Sequence, residues 1–233
     1  FDASANALFD LENFNLRLEP GQRVALVGST GSGKSTIGRL ICGLFKPWSG
    51  EVLVDGRPLS SVHPEVLAGS LGQVDQSILL FEGTLRDNLS LWDQQLPLEA
   101  LQRAVEDAGI AEMVARRGGF DGMVGESGKN FSGGERQRLE IARALAFDPS
   151  ILVLDEATSA LDPLVEKKID DRLRARGCTC VIVAHRLSTI RDCDEIVVLE
   201  RGKVVERGNH DDLVAAEGYY FDLIRAEMEA KPA

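Results

Sequence analysis

The chain has 233 residues, a formal net charge of −11 and four cysteines. A domain of this length can bury most of the apolar surface of its unfolded chain without disulfide staples, and the acidic balance argues against the Lys- and Arg-rich face that nucleic-acid binding requires. Cys42, Cys178, Cys180 and Cys193 form no CxxC pair and lie in apolar or helical stretches, which favours small buried thiols and a reducing compartment.

The apolar runs of the chain are short. The longest runs, such as residues 24–27 and 181–184, fall far below the roughly 20 residues that a bilayer crossing needs, so we expect no membrane span. The first six residues lack the basic and apolar regions of a signal peptide, and the abrupt start is typical of a fragment cut from a longer polypeptide.

The first predicted elements surround a glycine-rich loop. Residues 15–18 alternate polar and apolar side chains and predict a strand, and after a turn residues 23–27 predict a buried strand. The loop at residues 28–35 comes next, and apolar residues at helical spacing then predict a helix over residues 34–44. Strand, loop and helix in this order are the context that a phosphate-binding loop requires.

The rest of the chain alternates strand-like and helical segments. Such alternation predicts a mainly parallel sheet with helices on both of its faces. The predicted elements are a strand at 51–54 with a turn at 55–56, a mostly helical region at 84–147, strands at 151–154, 180–184 and 196–199, a helix at 163–174 and a frayed end at 227–233.

The glycine-rich loop is suited to phosphate binding. Its small residues allow backbone N–H groups to close around phosphates, and the following helix directs its positive end at them. Lys34 would reach the β- and γ-phosphates and the Ser35 hydroxyl would bind Mg²⁺, with Thr36 as the second hydroxyl in reach. A plain Gly-Ser turn is the ordinary alternative. The candidate nucleotide contacts are Gly28, Ser29, Thr30, Gly31, Ser32, Gly33, Lys34, Ser35 and Thr36.

Two acids follow the apolar run at 151–154. A central strand ending here would deliver Asp155 and Glu156 beside the phosphate loop. Paired acids after a strand are often only the N-cap of the next helix, which is the alternative.

A second glycine-rich helix start lies at Ser132-Gly133-Gly134-Glu135. Ser132 and Glu135 have the spacing of a capping box, in which the two side chains satisfy the free donors of a helix start. An exposed helix N-terminus is also an anion site, so the structural and the functional interpretation can both hold.

Taken together with His185, at the end of the run 180–184, and with the segment 159–162, these motifs resemble the nucleotide-binding domain of an ATP-binding cassette (ABC) transporter, in the order of that family and over nearly the whole chain. The resemblance implies an α/β fold: a P-loop NTPase core with a mainly parallel sheet, an N-terminal antiparallel β subdomain and a helical subdomain at about 84–147. It also implies one ATP-binding domain over residues 1–233, without the transmembrane domain.

The resemblance assigns roles around the γ-phosphate. Asp155 would hold the Mg²⁺ shell, Glu156 would be the general base for the attacking water, and His185 would hydrogen-bond the γ-phosphate. The family's signature contacts nucleotide held by the other subunit, and the further contacts it implies here are Ser132, Gly133, Gly134 and Asp162. Phe131 and Glu135 replace the family's usual Leu and Gln.

Two further contacts rest on the resemblance. Gln76, rather than Gln73, corresponds to the family's glutamine loop, which touches Mg²⁺ and the attacking water; Asp75 replaces the usual proline before it. Phe1 would stack on adenine, with Phe9 as second candidate, although Phe1 is equally consistent with a severed piece of strand.

The remaining histidines and one loop complete the candidates. His63 and His210 fall in polar contexts and are expected to be solvated surface residues. Residues 123–128 resemble a segment of exporters that touches the membrane domain, with an ordinary glycine-rich loop as the alternative.

The resemblance implies an ATPase that closes with a second such domain into a head-to-tail dimer around ATP and Mg²⁺. It would drive a transmembrane domain at the cytoplasmic face of a membrane, such as a bacterial inner membrane, most like the bacterial peptide or bacteriocin exporters. The alternatives are a soluble ABC-type ATPase acting on chromosomes or ribosomes, which would carry coiled-coil insertions or basic arms, and a non-hydrolysing module, which would lack the base at Glu156.

Overall fold

The computed structural model describes residues 11–158, 160–184 and 186–229. Its strands are β1 (Arg23–Gly28), β2 (Leu53–Val54), β3 (Arg57–Pro58), β4 (Leu71–Val74), β5 (Gly83–Thr84), β6 (Met123–Val124), β7 (Ile151–Asp155), β8 (Thr179–Val183), β9 (Glu195–Glu200) and β10 (Lys203–Gly208). Its helices are α1 (Lys34–Ile41), α2 (Pro64–Ser70), α3 (Leu85–Ser90), α4 (Leu98–Asp107), α5 (Ala111–Arg116), α6 (Gly133–Ala146), α7 (Pro163–Arg176), α8 (Leu187–Ile190), α9 (His210–Ala215) and α10 (Tyr219–Glu229).

A six-stranded sheet in the order β10-β9-β1-β8-β7-β4 forms the centre of the molecule. All neighbouring strands run parallel except β10, which is antiparallel to β9. The prediction of a mainly parallel sheet is therefore confirmed. Because β1, β4, β7 and β8 run the same way, the segments that follow them all emerge at one edge of the sheet.

The two faces of the sheet bury different sets of side chains. In β1, Val24 and Leu26 face one hydrophobic cluster together with Ile37 of α1, while Ala25 and Val27 face a larger cluster that includes the helical region. This alternation is the period of two that a strand imposes on its side chains. Helices cover both faces, as predicted.

The strand predicted for residues 15–18 is wrong, because this segment has no regular secondary structure. Phe14, Leu16 and Leu18 nevertheless pack against the cluster beside α1. Alternating side chains indicate one buried face, but they do not supply a hydrogen-bonded neighbour, which is what defines a strand. Antiparallel structure in this part of the chain is the hairpin β2–β3, whose turn at Asp55 and Gly56 has the positive φ values of 50° and 74° that a tight hairpin favours.

The helical region predicted for residues 84–147 contains α3 to α6. It also contains a short antiparallel pair, β5 with β6, that the sequence patterns did not indicate. Helices α3 and α6 both begin with complete capping boxes, Thr84 with Asp87 and Ser132 with Glu135.

The expectation of free thiols is confirmed, since the cysteines, all within the described ranges, are unpaired, three of them buried and Cys42 partly so. Among residues 11–158, 160–184 and 186–229 we find no helix with the length and apolar character that a bilayer crossing demands. Helix α10 continues to Glu229, so the fraying expected from residue 227 does not begin there.

Candidate nucleotide site

The loop after β1 has a backbone path that only glycine allows at its start. Gly28 has φ 150°, and a Cβ on it would lie 2.1 Å from the carbonyl oxygen of Leu199. Gly33, with φ 103°, is the N-cap of α1 and provides no side-chain cap to that helix. The free N–H groups of the first turn of α1 are thus left for a ligand, and phosphate is the ligand that such a turn favours.

The Lys34 side chain lies across this loop. Its Nζ donates to the carbonyl oxygens of Gly28 at 2.7 Å and Ser29 at 2.9 Å, and the residue is only 6% exposed. Burial lowers the pKa of Lys34, while the nearby charges of Glu156 and Asp155 raise it. The ammonium group is therefore held where bound phosphates would meet it.

Asp155 and Ser35 meet beside the loop. The Ser35 hydroxyl hydrogen-bonds the Asp155 carboxylate, which is buried at the end of β7. Burial raises the pKa of Asp155, and the negative charges of Asp75 and Glu156 raise it further, while the Ser35 bond and Arg39 lower it. A hard divalent cation prefers oxygen ligands and would relieve this crowding of acids, so the residues present fit a Mg²⁺ ion.

Glu156 and Gln76 come together although 80 positions separate them. Gln76 Nε2 donates to Glu156 Oε2 at 2.8 Å, whereas Gln73 lies within β4 and donates to Asp75. Glu156 adopts a left-handed backbone with φ 51°, and its N–H donates to the carbonyl of Val183 at 2.9 Å. A non-glycine residue held at positive φ costs about 1–3 kcal/mol and is often found where function requires it.

Gln137 belongs to the site, and the sequence analysis missed it. This residue of α6 is 3% exposed; its Nε2 donates to the Glu156 carbonyl at 3.2 Å, and its Oε1 accepts from the Ala160 N–H at 2.9 Å. A signal was available, because Gln137 is four positions before Ile141 and so lies on the apolar stripe of an amphipathic helix. A polar residue on such a stripe needs an internal partner.

Residues 131–135 serve the helix that they begin. Ser132 Oγ accepts from the Glu135 N–H at 3.2 Å, and Glu135 Oε2 accepts from the Ser132 N–H at 2.8 Å. The bond from the Ser132 N–H is the main cause that lowers the pKa of Glu135. Phe131 is buried beneath the Arg117 guanidinium, 4.0 Å from the ring centroid. Both departures from the family pattern therefore have structural roles.

The glycine turn of this helix faces open space. A Cβ placed on Gly133 would meet no atom within 4 Å, and one on Gly134 would meet Ala160 and Leu161 at 3.5 Å and beyond. Ser132 and Gly133 are exposed. Their surface is available to a second molecule.

Asp162 caps α7, with its Oδ1 accepting from the N–H groups of Leu164 and Val165 at 2.9 and 3.1 Å. Its predicted contact with nucleotide stays a prediction. Phe1, Phe9 and His185 lie outside the described residues, so their predicted roles also stay predictions.

The other two histidines differ from each other. His63 is 69% exposed, as expected. The expectation for His210 is wrong: it begins α9, is partly buried, and its Nδ1 lies 2.8 Å from the hydroxyl of the fully buried Tyr220. The residues around it form a helix packed on α10, which local polarity did not indicate.

An apolar patch is exposed beside the glutamine loop. It consists of the exposed Leu79, Leu91 and Trp92 and the partly buried Phe81, whose ring is in edge-to-face contact with that of Trp92, 5.3 Å between centroids. Exposed apolar side chains grouped in this way often mark an interaction surface.

Arg143 supports the patch from beneath. Its guanidinium donates to the carbonyl oxygens of Asn88 at 2.7 Å and Leu79 at 2.8 Å, and it pairs with Glu140 at 2.6 Å. The apolar patch is thus tied to α6, the helix that begins with the Ser132 turn.

Comparisons with known proteins agree with this geometry. The family model described as ABC transporter matches residues 11–159. An ATP-dependent lipid A-core flippase of Alkalilimnicola ehrlichii is 44% identical over 94% of this chain, which spans 38% of that protein. A toxin RTX-I translocation ATP-binding protein of Actinobacillus pleuropneumoniae is 41% identical over 94% of this chain and 32% of its own length. A bacterial Atm1-family ABC exporter solved with ATP bound superposes with a TM-score of 0.85 at 41% identity, covering 93% of this chain and 38% of the exporter chain.

Proposed function

The chain belongs to the ABC transporter family, and on that basis we propose that it binds and hydrolyses ATP to power transport across a membrane, in the direction of export. The observation that carries the proposal is the meeting of Lys34, Ser35, Asp155 and the Gln76–Glu156 pair at one edge of the sheet. A soluble ABC-type ATPase is not favoured, because the similar proteins are named as transporters.

The chain's own residues divide the work of hydrolysis. The loop N–H groups and Lys34 bind the phosphates, and Glu156 accepts the proton of the water that attacks the γ-phosphorus while the bond to ADP breaks. Gln76, already bonded to Glu156, orients that carboxylate and the water. A Mg²⁺ ion held by Ser35 and Asp155, with Gln76 in reach, would neutralise charge on the phosphates.

A second copy or a similar domain completes the site. The Ser132 turn is exposed and open above Gly133, so a partner's bound nucleotide can approach its helix N-terminus. Two domains joined head to tail would each contribute a phosphate loop and a Ser132 turn. Because ATP would be contacted from both sides, ATP binding favours the closed pair of domains. ATP hydrolysis removes that contact, and the two domains separate.

The apolar patch is the surface that we assign to a membrane-spanning region of the same transporter. Its Leu79, Leu91 and Trp92 side chains are exposed here, and Arg143 connects the patch both to the segment after Gln76 and to α6. A movement of the membrane region would therefore reach the Ser132 turn and the glutamine loop together. The domain would lie at the cytoplasmic face of a membrane, and residues 123–128 would form part of the same contact.

The substitution Glu156→Gln tests the proposal. It removes the proton acceptor, while the backbone bonds of residue 156 to Val183 and Gln137 are kept. We expect ATP hydrolysis to fall by about 10²- to 10⁴-fold, with ATP binding retained and a dimer accumulating in Mg-ATP, measured by phosphate release and light scattering.

The matched control is Glu112→Gln, which neutralises an exposed acid on α5 and should change neither activity nor association. Full-rate turnover by the Glu156→Gln protein would contradict the assignment of the base. A monomer at saturating Mg-ATP would contradict the shared site.

A further inference from the structure

A buried carboxylate that the phosphate chemistry leaves unused lies in the first turns of α7. Glu166 is 4% exposed, and its side chain points at the segments that follow β7 and β8. A buried charge is costly unless it is paired and hydrogen-bonded, so the contacts of Glu166 show what it does.

One oxygen of Glu166 joins two segments that are distant in sequence. Its Oε1 accepts from the Thr158 hydroxyl at 2.6 Å and from the Thr189 hydroxyl at 2.5 Å. Thr158 is two positions after Glu156, and Thr189 belongs to α8, the helix that follows the predicted γ-phosphate contact His185.

The other oxygen of Glu166 faces Arg186, a cation that also contacts the segment after β7. Glu166 Oε2 lies 3.6 Å from Arg186 Nη1, and the same nitrogen donates to the carbonyl oxygens of Leu161 at 2.9 Å and Thr158 at 3.5 Å. Arg186 directly follows His185 in the sequence. Thr158 is therefore attached to Glu166 through its hydroxyl, and Thr158 and Leu161 are attached to Arg186 through their backbone carbonyls.

We propose that Glu166 is a positioning residue that holds the turn after Glu156 and the segment after His185 in one fixed arrangement. This inference rests on the proposed ATPase function. A change at one segment, whether nucleotide contact or approach of a second domain, is passed to the other through this carboxylate.

The charge of Glu166 matters as well as its shape. A carboxylate only accepts hydrogen bonds, so it can receive two hydroxyls and a guanidinium at once. A glutamine of the same size could still accept from the threonines, but its amide N–H₂ would face the Arg186 guanidinium, donor against donor. Glu166→Gln is therefore the sharpest substitution.

The control lies on the same helix. Asp170, one turn further along α7, is an acid paired with the buried Arg23, at the opposite end of the sheet strands from the phosphate loop. Asp170→Asn removes the same charge from the same helix and disturbs a buried ion pair, but it touches neither of the two segments. A purely structural role for Glu166 predicts the same behaviour for both variants.

The first measurement is steady-state hydrolysis by the purified protein. We expect Glu166→Gln to lower kcat by about 10- to 100-fold with KM for ATP unchanged, because small displacements of reacting groups cost rate rather than binding. Asp170→Asn should lower thermal stability and leave kcat unchanged. Equal kcat values for the two variants, or a loss confined to KM, would overturn the proposal.

The second measurement does not depend on activity. In hydrogen exchange, Glu166→Gln should raise exchange in peptides covering 157–162 and 186–190 together, whereas Asp170→Asn should raise neither. Inactivity of the unchanged protein would contradict the proposed function, and the exchange comparison would still decide the role of Glu166. Faster exchange in only one of the two segments would overturn the proposed role of Glu166.

Two milder variants cover the possibility that Glu166→Gln does not fold. Thr158→Val and Thr189→Val each keep the shape of the side chain and remove one hydroxyl from the Glu166 oxygen. We expect each to lower kcat by less than Glu166→Gln and the double variant to approach it. Unchanged kcat in the double variant would contradict the proposal.

Discussion

The two glycine-rich turns of this chain, after β1 and before α6, look alike in sequence and differ in structure. The turn before α1 ends in Gly33, which leaves the helix start without a side-chain cap, and the buried Lys34 side chain lies across the turn near Asp155 and Glu156. The turn before α6 is closed by the Ser132–Glu135 capping box and faces open space. The first turn has a lysine and two acids beside it within the same chain, whereas the second turn has the hydrogen bonds of its own capping box. The two turns fit the two roles proposed above: nucleotide binding within one chain for the first, and contact with nucleotide held by a partner for the second.

The largest expected effect is at the first turn. Lys34→Ala removes the buried ammonium that would contact the phosphates, and losing one member of a buried charge pair should weaken ATP affinity by about 10²-fold or more. Calorimetric titration with ATP measures it. Lys167→Ala, at an exposed lysine of α7, is the control and should leave the affinity unchanged. Unaltered affinity in Lys34→Ala would remove the first turn from the binding site.

A smaller effect is expected at the second turn. Ser132→Arg places a long cation over the open surface of Gly133 and should abolish Mg-ATP-dependent dimer formation, while a single chain still binds ATP. Ser132→Ala is the matched control, since both variants lose the N-cap, at about 1 kcal/mol of stability. Chromatography with light scattering in Mg-ATP distinguishes them. Dimer formation by Ser132→Arg equal to that of Ser132→Ala would show that the second turn contacts no partner.

The smallest expected effect is on the stability of the folded protein, at Asp155 beside the first turn. The pKa of Asp155 is raised above the ordinary 3.8, chiefly by burial, so the folded state favours the protonated acid. The folded protein therefore loses stability as the pH rises from 3.8 through the raised pKa of Asp155. At neutral pH, Asp155→Asn removes the unfavourable charge and keeps an oxygen that accepts from Ser35. We expect a modestly higher Tm without nucleotide, and loss of the extra Tm that Mg-ATP gives the unchanged protein.

Ser132→Ala, by contrast, should lower Tm, because it only removes a helix cap. The gain for Asp155→Asn should also shrink as the pH is lowered toward the acid range, because the unchanged Asp155 then becomes protonated. A Tm below that of the unchanged protein at neutral pH would show that the carboxylate stabilises the fold, and would contradict an unfavourable effect of burial and neighbouring acids on the Asp155 charge.

Local patterns predicted much of the site. The loop between β1 and α1, the acids at the end of β7 and the Ser132 capping box each depend on residues within a few positions of one another, and each has the predicted local form. Residues 15–18 show the limit of such patterns, since their alternation indicated burial and could not supply a neighbouring strand.

Contacts over long sequence distances were beyond those patterns. The Gln137 contact with Glu156 and the Glu166 contacts with Thr158 and Thr189 were not predicted, although each residue is a buried polar side chain on a helix. A sequence shows that such a residue needs a partner, but which one it meets depends on how helices pack on the sheet.

What the sequence determined by itself was the chemistry available: a lysine and small residues for phosphate, two acids after an apolar strand, and helix starts with their caps. These follow from short-range backbone geometry, which neighbouring residues control. The tertiary structure alone decided that Gln76 meets Glu156, that Arg143 ties the apolar patch to α6, and that Glu166 joins two turns. Strand order and helix packing set those distances, and they are properties of the whole folded chain.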